Sequence, residues 1–141
     1  MNLVESIEGE SCTVLIYHAD CEIDPKDKDK IIIKIIKITG YESVAIDLTF
    51  DDVIEFNTIL NPWFRQGLKI TNKIIAYFKF KYVECVIREK SYLNGGSQLS
   101  LTIDILNNDK NSSILLKDIE ECAKFINAIE LGVTIGDPNN D

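Results

Sequence analysis

Runs of apolar residues, some alternating with polar ones and some unbroken, mark out a β-rich chain with two helical interruptions. Ser11–His18 (SCTVLIYH) is a short apolar run that reads as a strand. Ile31–Thr39 (IIIKIIKIT) is β-branched and almost continuously apolar, the pattern of a strand covered on both faces, with Lys34 and Lys37 reaching toward an edge. A turn at Gly40–Ser43 returns the chain as Val44–Leu48. From Ile70 to Tyr92 the sequence is again β-rich. Its alternation loses register near Val83–Val86, which predicts a bulge or a turn. Asn94-Gly95-Gly96-Ser97 is a hairpin signal. Beyond it Leu99, Leu101, Ile103 and Ile105 share one face, Ser100, Thr102 and Asp104 the other. Ser113–Leu116 is a final short strand.

The period changes twice. Thr49-Phe50-Asp51-Asp52 has the form of a helix start, with Thr49 as cap and two carboxylates at the positive end of the helix dipole. At 100° per residue Phe50, Val53, Ile54 and Leu60 turn inward, while Asp51, Asp52, Glu55 and Thr58 fall on an outward arc. Asn61-Pro62 is expected to end this helix, leaving Trp63–Gly67 as a connector. Asp118 caps a second helix that runs to about Leu131, with Gly132 as its stop. Its buried stripe is Ile119, Cys122, Ala123, Ile126 and Ile129; Lys117, Glu120, Glu121, Lys124 and Asn127 lie outside. The expected fold is α+β: a twisted antiparallel sheet of about six to seven strands with two helices packed on it, the second C-terminal. Residues 1–136 form one domain and 137–141 a flexible acidic tail. VAIDLTFDDVIEF and SSILLKDIEECAKF share a pattern, with one residue inserted, as a duplicated strand–helix unit would.

Charge narrows the function. With 15 basic and 23 acidic residues in 141 the net charge is −8, which argues against direct nucleic-acid binding and against an anionic membrane surface. Glu5, Glu8 and Glu10 occupy the place where a signal peptide needs a basic flank and an apolar run, and the expectation is a cytoplasmic protein. Cys12, Cys21, Cys85 and Cys122 are far apart with no CxxC, consistent with free thiols in a reducing compartment. The abundance of Ile, Lys, Asn and Asp points to an AT-rich bacterial gene.

Catalytic signatures are missing from the sequence: no GxxxxGK, GxGxxG, HExxH or GxSxG occurs. Cys12, His18 and Cys21 form a C-x5-H-x2-C spacing, but three ligands at irregular intervals read better as a strand-end histidine beside buried thiols. Asp51-Asp52 is accounted for by dipole compensation rather than by a glycosidase-type acid pair. No cofactor or metal is expected, and the chain reads as a non-enzymatic protein. The aromatic–lysine alternation Phe78-Lys79-Phe80-Lys81-Tyr82 puts the two residue types on opposite faces of an ordinary strand.

One feature is not explained by stability alone. The arc of Asp51, Asp52 and Glu55 carries no lysine, and it is followed by Trp63 and Arg65, residue types enriched at binding hot spots. These five residues are the candidate surface for a basic protein partner. In size, acidity, single-domain organisation and absence of catalytic motifs the chain resembles immunity proteins of bacterial toxin systems, including contact-dependent growth inhibition. That resemblance implies an inhibitor that binds and blocks a cognate toxin domain, often a nuclease. The alternative is a small sheet-based module that binds a small ligand or single-stranded nucleic acid on a face lined by Tyr77, Lys79 and Lys81.

Overall fold

The structure, a computed structural model, describes residues 1–9, 12–19, 29–65, 73–79, 84–90, 100–106 and 111–136. Its elements are β1 (Asn2–Glu8), β2 (Thr13–His18), β3 (Ile31–Thr39), β4 (Glu42–Thr49), α1 (Phe50–Arg65), β5 (Lys73–Lys79), β6 (Glu84–Lys90), β7 (Ser100–Leu106), β8 (Asn111–Leu116) and α2 (Ile119–Gly136). The α+β class and the C-terminal second helix are as expected. The single sheet of six to seven strands is not: the strands form two antiparallel sheets of four, β1-β2-β3-β4 and β5-β6-β7-β8, each followed by a helix. The reason is local. Within each sheet every strand pairs with the next in sequence, as consecutive strands usually do, and after α1 the chain continues with β5, which pairs with β6 instead of rejoining the first sheet.

The eighth strand is β1, which its composition conceals. A register shift between Leu3 and Glu5 breaks the alternation, and on this edge strand only Ile7 is fully buried. At the β3–β4 hairpin Thr39 pairs with Glu42, and Gly40 alone adopts a positive φ, of 59°. Positive φ at the first of two central residues is the type II′ arrangement, which calls for glycine there. Pairing of Lys90 with Ser100 joins β6 to β7. The Asn94–Ser97 turn and the 137–141 tail lie outside the described residues, as does Val83 of the break expected at Val83–Val86; Glu84, Cys85 and Val86 pair in regular register with β5.

Both helices outrun the stops expected for them. α1 continues through Pro62 to Arg65, so the connector begins later than the proline rule implied. The bias against a helical residue before proline is only a preference. Asn61 stays helical, its amide donating to Asn57 Oδ1 at 3.0 Å. Among the described side chains of α1 the buried ones are Val53, Phe56 and Leu60, whereas Ile54 is exposed. α2 continues past Gly132, and Ile119, assigned to its buried stripe, is 62% exposed; Phe125 and Ala128 are buried instead. Asp118 does cap α2, accepting the Glu121 N–H at 2.9 Å.

The chain divides into two compact units, Met1–Pro62 with Lys124–Asp141, and Trp63–Ala123. In the first, Val14, Ile16, His18, Ile33, Ile35, Ile46 and Leu48 form the buried face of the sheet. α2 packs onto that face, and Gly132 shows how closely. A Cβ at this position would overlap Ile33 Cδ1 and stand 2.9 Å from Ile33 Cγ1 and 3.2 Å from Val53 Cγ1. Gly132 is therefore a close-approach residue, not a helix stop. In the second unit Phe78, Cys85, Ile87, Leu101, Ile103, Ile105, Ile114 and Leu116 are buried on one face, as the alternation in β7 required.

Gly132→Ala should lower stability by about 1–2 kcal/mol, because overpacking outweighs the ~1 kcal/mol gained in helix propensity. Adding Ile33→Val, which removes the overlapping Cδ1, should restore part of the loss. Urea unfolding of the three proteins reads both effects.

Candidate functional site

The carboxylates of α1 divide into two roles. Asp52 reaches back over the helix start, where its Oδ2 accepts the Thr49 backbone N–H at 3.0 Å and the Thr49 hydroxyl at 2.9 Å. This is half of a capping box, with aspartate in the reciprocal position. Thr49 donates its hydroxyl rather than accepting, so the cap rests on Asp52. Asp51 and Glu55 remain exposed on the outer arc, one turn apart. α1 has no lysine; its basic residue is Arg65, in the last turn.

Trp63 and Arg65 stand on the same helix but belong to the second unit, of which they are among the first residues. From Asp51 to Trp63 the helix rises about 18 Å. Arg65 is exposed, and the Trp63 side chain lies outside the described part of the structure. The acids of the candidate surface thus belong to one unit and its anchors to the other.

Charge is distributed in the same uneven way. The first unit holds 16 of the 23 carboxylates and six of the 15 basic residues, a net of −10; the second holds seven and nine, a net of +2. The whole acid excess of the chain belongs to the first unit. Glu8, Asp29, Glu42, Asp47, Asp51 and Glu55 are all exposed there.

His18 is buried, at 2% exposure, on the helix-facing side of β2. Its Nε2–H donates to the Ala128 carbonyl at 2.9 Å, which leaves Nδ1 as the unprotonated nitrogen, buried and without a partner among the described residues. Burial lowers its pKa, and the bond to Ala128 only partly opposes this. Cys12 precedes the first residue of β2 and His18 is its last, about 20 Å away along the strand, so the two cannot share a metal ion. Cys21 lies outside the described residues. Among the described residues no group of three or more His, Cys, Asp or Glu side chains could hold a metal.

Cys85 and Cys122 are buried thiols. Burial, with Asp104 adding repulsion for Cys85 and Asp118 and Glu121 for Cys122, pushes both up to about 12. At that value neither is a thiolate near neutrality.

The solvent-facing side of the second sheet holds a polar network absent from the sequence reading. Asp104 accepts Arg88 Nε–H at 2.8 Å on one oxygen and the Ser113 hydroxyl at 2.8 Å on the other. Tyr77, 54% exposed, is hydrogen-bonded to Glu84, which raises the phenol pKa. Val86 lies between these pairs and is 6% exposed, in register with Tyr77 on one side and Asp104 on the other. Of the residues named for a ligand-binding face, Tyr77 and Lys79 are exposed and Lys81 lies outside the described residues. On that face the described side chains of Lys79 and Arg88 are matched in charge by those of Glu84 and Asp104. The signal for the network was available: Arg88, Asp104 and Ser113 occupy polar positions of strands whose alternate residues are apolar.

No protein-family model and no curated protein sequence matches the chain. Among the described residues no helix is long and apolar enough to cross a membrane.

Two outcomes follow. Because His18 is held neutral when folded, its contribution to stability is complete above the unfolded pKa of about 6.5 and is lost as the pH falls below that value toward the lowered folded one. Wild type should therefore lose more stability between about pH 7 and about pH 5 than His18→Gln, which keeps a donor for Ala128 but does not titrate. Urea midpoints at the two pH values measure the difference. In native alkylation followed by mass spectrometry, half-buried Cys12 should react while Cys85 and Cys122 stay protected until the protein is unfolded.

Proposed function

We infer that this chain is a non-enzymatic binding protein whose first unit captures a basic protein. Segregation of charge carries the reading: a net of −10 in one unit against +2 in the other. A concentrated negative field speeds encounter with a positively charged partner and suppresses wrong ones. On α1, Asp51 and Glu55 extend that field over an arc without lysine, and both are exposed. Asp52 contributes its charge but is engaged in the helix cap. Trp63 and Arg65 remain the proposed anchors, at the other end of α1. A partner of this kind, a basic toxin domain such as a nuclease, fits an immunity protein that acts by covering a positively charged site or a neighbouring exosite.

The test separates charge from fold. Asp51→Lys with Glu55→Lys should slow association with the captured partner by about tenfold or more at low salt, and the difference should shrink as salt is raised. The pair should cost no more than about 1 kcal/mol of stability, from weakened dipole compensation. Asp52→Ala should behave in the opposite way, losing about 1 kcal/mol of stability with a small effect on association. Surface-based kinetics and urea unfolding supply the two readouts. An unchanged on-rate for the lysine pair at low salt would count against the reading.

A further inference from the structure

We propose that the outer face of the first sheet, opposite the helices, is the contact surface for the basic partner. This rests on the reading above for the partner's charge alone: Asp51 and Glu55 on α1 act through their field during approach, and the seat is the sheet face in place of the Trp63 and Arg65 end of the helix. The side on which the helices lie is set by two contacts, His18 with Ala128 and Ile33 against Gly132. Residues of opposite parity face away. Register aligns them in rows: Ser6–Leu15–Ile36–Ala45 across the middle, Leu3–Tyr17–Lys34–Asp47 on one side, Glu8–Thr13–Ile38–Ser43 on the other.

In the two central strands Leu15 and Ile36 stand directly side by side, with Tyr17 and Ile38 diagonal to them. Leu3 extends the strip to one edge and Ala45 to the other. Leu3 is 52% exposed, Ala45 is exposed, and the four central residues are half-buried, as side chains of an uncovered sheet are when only their neighbours shield them. Lys34 lies 3.7 Å from Asp47 on the same face, with the two side chains 38% and 45% exposed, so no further layer covers that row. The second sheet differs: its central outer positions include Arg88 and Asp104, already paired.

An apolar centre with a charged rim is the anatomy of a protein interface. Glu8 and the Lys34–Asp47 pair lie on its rim, and the unit that carries it holds the acid excess of the whole chain. The complementary occupant is a basic protein with an apolar patch. Charge brings it in, and this strip sets how long it stays.

The full chain carries a photocrosslinking phenylalanine analogue at position 15 or 36, with positions 55 and 77 for comparison, in the cells from which it comes. Positions 15 and 36 should give one adduct, a basic protein with a pI above about 9. With that protein purified, Leu15→Thr plus Ile36→Thr should raise its dissociation rate about tenfold or more while leaving its association rate within about twofold. Threonine keeps the strand propensity, and Ala45→Arg, at an exposed position on the edge strand, gives a second variant if the pair unfolds. Adducts only from position 55 or 77, or an unchanged off-rate in both variants, overturn this surface while the basic-partner reading stands. An acidic adduct, a nucleic-acid adduct or none at any position overturns both. A concentration-dependent dimer lost in the threonine pair assigns the face to a second copy and overturns the proposal.

Discussion

The first unit depends on how near α2 can come to β3. On the sheet, His18 and Ile33 are cross-strand partners; on the helix, Ala128 and Gly132 are one turn apart. The two pairs meet. Gly132, lacking a side chain, makes room for Ile33, and at that distance the His18 ring reaches the Ala128 carbonyl. A larger residue at 132 would move the helix outward and stretch a bond that stands at 2.9 Å in a buried site, where an unmade hydrogen bond is costly. Glycine in a helix interior costs about 1 kcal/mol in propensity. Close packing of apolar side chains on both sides offsets it. Through this contact the last helix of the chain closes over its first sheet.

That closure determines which surfaces are left to act. With helix packed on one face, the apolar residues on the other keep part of their surface in solvent: Leu3 and Ala45 are exposed, and Leu15, Tyr17, Ile36 and Ile38 are half-buried. A sheet with Leu15 and Ile36 in its centre would be a liability without protection, since exposed apolar patches invite association. A net charge of −10 on the same unit supplies the protection, because copies repel one another; on the proposed function the same charge also draws in a partner of opposite sign. Part of the self-repulsion is offset where Asp51 and Asp52 sit at the positive end of the α1 dipole.

What could be read from the sequence was whatever depends on neighbours along the chain. The alternation Leu101–Ile103–Ile105, the cap at Asp118 and the exposure of Asp51 and Glu55 all follow from local period and local hydrogen bonding. What escaped was set by contacts distant in sequence. A strand has the same pattern whether it joins one sheet or another, so the division into two sheets was hidden. Gly132 has the look of a stop because its reason lies on β3, ninety-nine positions earlier in the numbering. β1 was masked by a bulge, and Asp52 looked like part of a recognition arc because its bond to Thr49 leaves no mark on composition. The shared pattern of the two strand–helix segments has its counterpart in the repeated order of four strands and a helix.

Acidic residues that serve only solubility need no particular location; any exposed position will do, and they should follow surface in rough proportion. Here a unit of little more than half the chain carries more than the entire net charge, and the remainder is slightly basic. Solubility gains nothing from that separation, and stability loses by it, because like charges crowd one fold. The proposed recognition would gain directly, since a field concentrated on one unit orients an incoming partner before contact. Lysine is missing from α1 where nothing in helix formation excludes it, and an i,i+4 lysine would have stabilised the helix by a few tenths of a kcal/mol. Forgoing that stabilisation makes sense when the uncompensated carboxylates have somewhere to point.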